Sequence, residues 1–436
     1  VRTPKKSALR PTSRPADRRG DDEIWPRVTR ELADDLAFDA PSRDRAGKPP
    51  FDEVARLQEA GLPALLAPPG PSGRGADWRA ACAVIREISA ADSSIGELLA
   101  HHHVLSWTAR FLTGGEAPAP ASTPHTAFED GTAREGRLLA GGIEPSRTPA
   151  EPGLTLTPAP GGYLLDGQRS FASGVSVADR LVVGARCTES GELLVVLVDP
   201  ADPAVFTEPG AERVGQRLAG AGTVTFDQVR VDARNVLGAL PRDEHAVAPF
   251  TTLAPLALRL LLVHVGLGIA EGALAEARDV SRAARAVPRR TGSRTGAPDD
   301  TSDDPFGRED PFLLLAYGEL ATSAHAAAAV VERATDVLAR GLATGSALGV
   351  EERADIAVLV AAAEAVTSRA AVRITSRILE LVDTTEPADA PGGGPGFDRF
   401  WRNARALTAR SSETHRLRDI GDHYLHGTRP GLRLLA

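Results

Sequence analysis

Two stretches in the second half of the chain repeat apolar residues at helical spacing, and each has a face too wide to leave in water. The first runs through Leu256, Leu260, Val263, Leu267, Ala270 and Leu274; the second through Ile356, Leu359, Ala363, Val366, Ala370 and Ile374. Faces of this width must be buried against one another or against a neighbouring subunit, so the sequence predicts a helical bundle from about residue 242 onward.

The text before the bundle has a different period. From about Glu129 to Pro241 turn signals and short β-branched runs dominate. Gly161-Gly162 and Asp166-Gly167 mark turns, Tyr163 to Leu165 lies between them, and LVVGARC and LLVVLVDP read as strands. This predicts a middle antiparallel sheet domain at 129–241. Upstream, helical spacing returns at Leu32 and Leu36, at Val54, Leu57 and Leu62, and over one long block from Trp78 to Leu112, which predicts an N-terminal helical domain at 22–128. Residues 1–21 are basic and rich in Pro and Ser without the apolar core of a secretory signal, and read as a disordered arm. The irregular stretch Arg285 to Asp310 reads as a loop.

Composition narrows the partners. A net charge of −8 gives no basic face for nucleic acid or anionic lipid. Only Cys82 and Cys187 are present, far apart and without metal-ligand spacing, so neither a disulfide scaffold nor a metal site is expected, and a cytoplasmic setting fits. The longest apolar run, around Leu253 to Leu274, is interrupted by Arg259 and His264, which argues against a membrane span. Small molecules are the expected partners.

The stretch SFASGVSVAD, Ser170 to Asp179, carries the most chemistry. A strand ends there on a phenyl ring, a hydroxyl and a glycine. Phe171 can cover a flat ring system, Ser173 can donate to a ring heteroatom, and Gly174 permits close backbone approach. A hairpin with a Ser-Gly turn would give the same text.

Taken with GQRLAGAGTVTFDQVRV at Gly215 to Val231, NVLG at Asn235 to Gly238 and FWRNAR at Phe400 to Arg405, the chain resembles the acyl-CoA dehydrogenase superfamily. Within it, the chain looks most like the reduced-flavin monooxygenase branch typified by dibenzothiophene monooxygenase. The resemblance covers about Phe51 to Pro430. It implies an α+β architecture: an N-terminal helical domain, a middle antiparallel β domain and a C-terminal bundle. It also implies a flavin lined by Ile143, Glu144, Phe171, Ala172, Ser173 and Gly174. FMN is favoured over FAD, because neither the Arg285 to Asp310 stretch nor LVDTTEPADAPGGG reproduces the adenylate-binding pattern. Reduced flavin would come from a separate reductase and react with O2, and the protein would be a homodimer or homotetramer.

The same resemblance implies His102, in LLAHHHVLSW, and Ser173 as catalytic groups facing the flavin. The dehydrogenase branch needs a carboxylate to remove an α-proton, and its two positions correspond here to Leu258 and Ser411, neither of which is a base. A shift of two residues would bring Glu413 to that role. The monooxygenase branch follows RNAR with two histidines, but here Leu407 and Arg410 stand in that segment. Arg410 cannot act as a base and is expected to bind an anionic substrate group or a peroxide oxygen. Leu258, Leu407, Arg410 and Ser411 are thus the expected substrate-pocket residues. Two alternatives remain open: a flavin-dependent acyl-CoA or acyl-carrier-protein dehydrogenase, and a catalytically silent flavin or acyl-carrier binding protein.

Overall fold

The computed structural model describes residues 18–68, 75–113, 124–143, 153–210, 213–240, 247–286, 311–382, 396–409 and 413–430. The first part is helical: α1 (Arg18–Ala46), α2 (Phe51–Glu59), a 3-10 turn (Leu62–Ala64), α3 (Trp78–Ala91), α4 (Ser93–Ser106), α5 (Thr108–Leu112) and α6 (Pro124–Glu135). The long helical block read from Trp78 to Leu112 comprises three helices. Asp92 causes the main break: it leaves helical geometry and its carboxylate accepts from the backbone N–H groups of Ser94 and Ile95, which starts α4 afresh. α1 begins within the span expected as a basic arm, whose residues 1–17 lie outside the described residues. α6 crosses the expected boundary at 128/129.

Eight strands follow: β1 (Leu139–Gly142), β2 (Thr155–Ala159), β3 (Gly162–Phe171), β4 (Arg180–Cys187), β5 (Leu193–Val198), β6 (Val205–Pro209), β7 (Gly222–Asp232) and β8 (Val236–Leu240). They form one sheet in the order β6-β7-β3-β2-β4-β5-β8, with β1 also on β4. The sheet is mixed and not purely antiparallel as expected, because β1 and β2 both run parallel to β4. They lie end to end on one edge of β4, β1 against Arg180 to Val183 and β2 against Arg186 and Cys187. After the β2–β3 hairpin the chain must cross back to reach that edge, and this crossing sets the parallel direction.

The last part holds α7 (Leu253–Ala286), α8 (Pro311–Thr344), α9 (Val350–Leu381), α10 (Asp398–Thr408) and α11 (Glu413–His426). One core cluster joins α3, α4, α7, α8 and α9, so N-terminal and C-terminal helices share a hydrophobic interior, while the sheet has its own. Contrary to the sequence expectation, two helical spans are long and apolar enough to cross a membrane, Leu253–Ala283 and Pro311–Ala347. In the first, 83% of the apolar window is buried inside the protein, as befits a central core helix; in the second, 33% is. The two residues that interrupt the first both meet protein groups: Arg259 pairs with Glu364, and His264 Nε2 lies 2.8 Å from the Thr335 hydroxyl while its buried Nδ1 has no hydrogen-bond partner.

Candidate active site

β3 ends at Phe171, and the turn that follows docks on the loop between β6 and β7. Gly174 has φ +80°, and a Cβ there would stand 2.7 Å from the Ala140 side chain, so no other residue fits without displacing β1. Ala219 O accepts from both Gly174 N (2.7 Å) and Ser173 Oγ (3.1 Å). The Ser173 hydroxyl thus spends its proton on its own backbone and retains lone pairs with which to accept.

The Phe171 ring is buried in the sheet core, and the Arg169 guanidinium lies over it at 5.0 Å from the ring centroid. Arg169 also donates to Gly142 O at 3.1 Å. The face on which a flat ring was expected to stack is therefore covered by a cation in this structure. Ala172 is exposed, its carbonyl accepting from Arg213 at 2.9 Å. Ile143 continues β1 and packs between the main core and a small cluster with Leu139 and Val182. Glu144 lies outside the described residues. The far end of the SFASGVSVAD stretch is a clamp: the Asp179 carboxylate accepts from Leu138 N (2.7 Å) and Gln58 Nε2 (2.8 Å), tying α2 to the start of β1.

The three histidines of α4 diverge, as consecutive helical residues must. His101 is partly exposed, with Nδ1 2.9 Å from Glu97 O. His102 is fully buried with both nitrogens engaged: Nδ1 accepts from Leu139 N at 3.0 Å, and Nε2–H donates to Pro63 O at 2.8 Å. Burial pushes its pKa down to about 4, so it stays neutral. A ring held at both ends has no nitrogen to offer a flavin. In this structure His102 fastens α4 to β1 and the 3-10 turn. Its neighbour His103 is also fully buried, with its pKa pushed far down by burial, yet neither of its nitrogens has a protein partner.

A second fastening was not anticipated from the motif text. Asn403, in FWRNAR on α10, accepts from Gln216 N at 2.7 Å and donates to Ser93 Oγ at 2.9 Å. One side chain therefore joins α10, the start of α4 and the loop that carries Ala219. Gly215 makes the approach possible, since a Cβ there would lie 2.2 Å from Arg402 O. Gln216, fully buried with φ +55°, leaves its amide oxygen and nitrogen both without protein partners. Unpaired buried amides are costly, and they recur where a bound group completes the contacts. Gln216 and Ser173 together fit a ligand with a polar, heteroatom-bearing edge, which is what a flavin ring presents.

Of the residues expected to line a substrate pocket, Leu258 and Leu407 are both half-buried against the main core. Thr367 Cγ2 and Leu407 Cδ2 lie 3.3 and 3.5 Å from where a Cβ on Gly266 of α7 would stand. Arg410 and Ser411 lie outside the described residues. Glu413, the residue that could have restored the dehydrogenase chemistry, opens α11 and pairs at 2.5 Å with Arg369 on an exposed face of α9. Its carboxylate is committed there. Arg259, beside Leu258, pairs with Glu364 at 2.6 Å.

Comparison with known proteins identifies the family. Residues 21–117 match the acyl-CoA dehydrogenase N-terminal domain. A probable FMNH2-dependent monooxygenase, SfnC of Pseudomonas putida, is 30% identical over 408 residues, covering 92% of this chain and 95% of that protein. Methanesulfinate monooxygenase MsuC from Pseudomonas fluorescens superposes with a TM-score of 0.77 at 29% identity over 94% of this chain and 99% of that one. TdsC from Paenibacillus sp. A11-2, in complex with FMN and indole, gives 0.80 at 27% identity over 94% and 99%. The chain belongs to the flavin-dependent monooxygenases of the acyl-CoA dehydrogenase superfamily.

Proposed function

We propose that this protein oxygenates a small organic molecule with dioxygen and reduced FMN, the flavin being delivered by a separate reductase. It works in the cytoplasm as a homodimer or homotetramer. Two unpaired buried cysteines and the family's reduced cofactor support a reducing compartment. The observation that carries the reading is that neither position corresponding to the dehydrogenase base holds a carboxylate in this chain, Leu258 standing at one and Ser411 at the other. Leu258 is apolar and Glu413 is held outward by Arg369. Dehydrogenation of an acyl thioester needs that base; oxygen transfer does not.

When bound, reduced FMN supplies the two electrons that split dioxygen, one oxygen atom going to the substrate and the other to water. The chain contributes position and dryness. Ser173, Gly174 and the backbone at Ile143 form the edge against which the ring would lie, with Gln216 offering a donor and an acceptor. Phe171 supports that edge from beneath, and Arg169 must turn aside or share the ring's negative end. His102 acts as a positioning residue by holding β1, and through it Ile143, against α4. Leu258 and Leu407 give the substrate an apolar wall and keep water from the reacting atoms.

Oxygen uptake should require both the reductase and substrate, and the product should carry label from 18O2. Anaerobic bleaching of bound oxidised flavin by an acyl-CoA, with no labelled product, would instead establish the dehydrogenase reaction.

A further inference from the structure

Arg169 and Phe171 stand two apart on β3, so their side chains leave the same face of the sheet. The Arg169 guanidinium lies over the phenyl ring at 5.0 Å from its centroid and donates to Gly142 O at 3.1 Å. Gly142 keeps this slot open, since a Cβ there would stand 3.2 Å from Arg169 Nη2 and 3.9 Å from Phe171 Cε1. One flat group, the guanidinium, is thus lodged between a phenyl face and the glycine end of β1. Arg169 is half-buried, and Ser170 and Ala172, on either side of Phe171, are exposed, so the slot opens to solvent where β3 ends.

A flavin ring docked on Phe171 meets this cation in either redox state, but the two states answer it differently. The oxidised ring is neutral and the reduced ring is an anion near neutral pH, and a fixed charge beside the ring is one of the levers by which a protein tunes a flavin. Moving the guanidinium off the phenyl face opposes both forms equally, and the phosphate of FMN carries the same charge in both. Neither effect enters the ratio of the two affinities. The attraction between the guanidinium and the ring anion does, and it persists at any working pH because arginine stays protonated.

We propose that Arg169 selects the reduced cofactor: it covers Phe171 while the site is empty, yields that face to the incoming ring, and from beside it favours reduced over oxidised FMN. The assignment rests on the reduced-FMN reading and deepens it. A protein supplied by diffusion has to admit reduced flavin in competition with the oxidised form and then to let the oxidised form go. A cation that hinders both forms and attracts only one does this.

The test is anaerobic titration of the protein with reduced FMN and, separately, with oxidised FMN, together with potentiometry of the bound cofactor. The wild-type protein should bind reduced FMN at least about tenfold more tightly, which lifts the potential of bound over free FMN by about 30 mV for each tenfold. Arg169→Gln keeps a donor for Gly142 O without the charge, and should abolish most of this preference and return the potential toward that of free FMN. Arg169→Lys should retain most of it. A residue that only braced β1 would instead shift both affinities together and leave the potential unchanged. Circular dichroism accompanies each variant, and Arg169→Met serves as a second uncharged variant should Arg169→Gln fail to fold. Equal wild-type affinity for the two forms, or a preference undiminished in a folded uncharged variant, overturns the assignment and leaves the FMN reading standing. No binding of FMN to the wild-type protein in either redox state overturns both.

Discussion

At the scale of single residues, two buried histidines, one beside the candidate site and one between α7 and α8, are neutral because they are buried. His102 and His264 have pKa values pushed down by burial to about 4 and about 3, from an ordinary 6.5. The unfolded chain therefore takes up protons below about pH 6.5 that the native state refuses, and stability, complete above that pH, falls as the solution is acidified toward 4. For His102 alone the full loss is roughly 3 kcal/mol. Urea unfolding followed from pH 7.5 to 4.5 should show midpoints dropping over this window. His102→Phe should start about 2 to 4 kcal/mol less stable at pH 7, since Leu139 N and Pro63 O lose their partner, and should show a shallower pH slope. An unchanged slope would mean that His102 is not the group being protonated. The sequence could supply the identity of this residue but not its role. Three adjacent histidines on a helix point about 100° apart, and which ring meets β1 depends on a strand 37 residues away.

At the scale of elements, the site is a junction of three pieces brought together by Asn403. Asn403→Leu removes one acceptor and one donor at once and leaves Gln216 N and Ser93 Oγ buried without partners. We expect a loss of about 2 to 4 kcal/mol in stability. FMN affinity should fall about tenfold, because the loop bearing Ala219 also carries the Ser173 turn. Gly215→Ala should do the same from the other side, its methyl group meeting Arg402 O. Flavin fluorescence titration checks both, and wild-type affinity in either folded variant would show that α10 does not support the cofactor loop. The strands and long helices were legible, since periods of 2 and 3.6 are written locally: LVVGARC became β4 and LLVVLVDP became β5. The strand directions were not, because the parallel pairing of β1 and β2 with β4 depends on where the chain crosses. The break at Asp92 was legible in principle, as an Asp-Ser-Ser cap, but continuous apolar text on both sides masked it. FWRNAR identified the family, while Asn403's partners, 187 and 310 residues away, had no local signature.

At the scale of the whole molecule, α8 is the element the single chain does not finish. It is as long as α7, at 34 residues, and also apolar, yet only a third of its spanning window is covered where α7 has most of its own buried. Phe312, Leu314 and Leu315 are 81%, 49% and 63% exposed near its start, and the small residues Gly318, Thr322, Ala326 and Ala329 continue along its outer face. Beside them, a groove of about 470 Å³ opens between α7 and α8, lined by Leu274, Leu313, Tyr317 and Ala321 among others. A helix that ends a soluble bundle normally turns charge to water, and one that turns leucine and small residues outward is built for another helix. If the protein is the homo-oligomer proposed above, burial of this face against the same face of a second copy would satisfy both at once and close by two-fold symmetry. Leu315→Glu would place a carboxylate on that face, near the start of α8, where the side chain is 63% exposed and touches little inside the protomer. Light scattering coupled to size exclusion should therefore give a multiple of 45.7 kDa for the wild-type protein and a shift toward a single 45.7 kDa chain for the variant. The variant should also melt lower and in a concentration-independent manner, since the protomer loses the stabilisation that association supplies. A wild-type protein that runs as a monomer at micromolar concentration would leave α8's leucines facing water and remove the argument for a self-made interface on this helix.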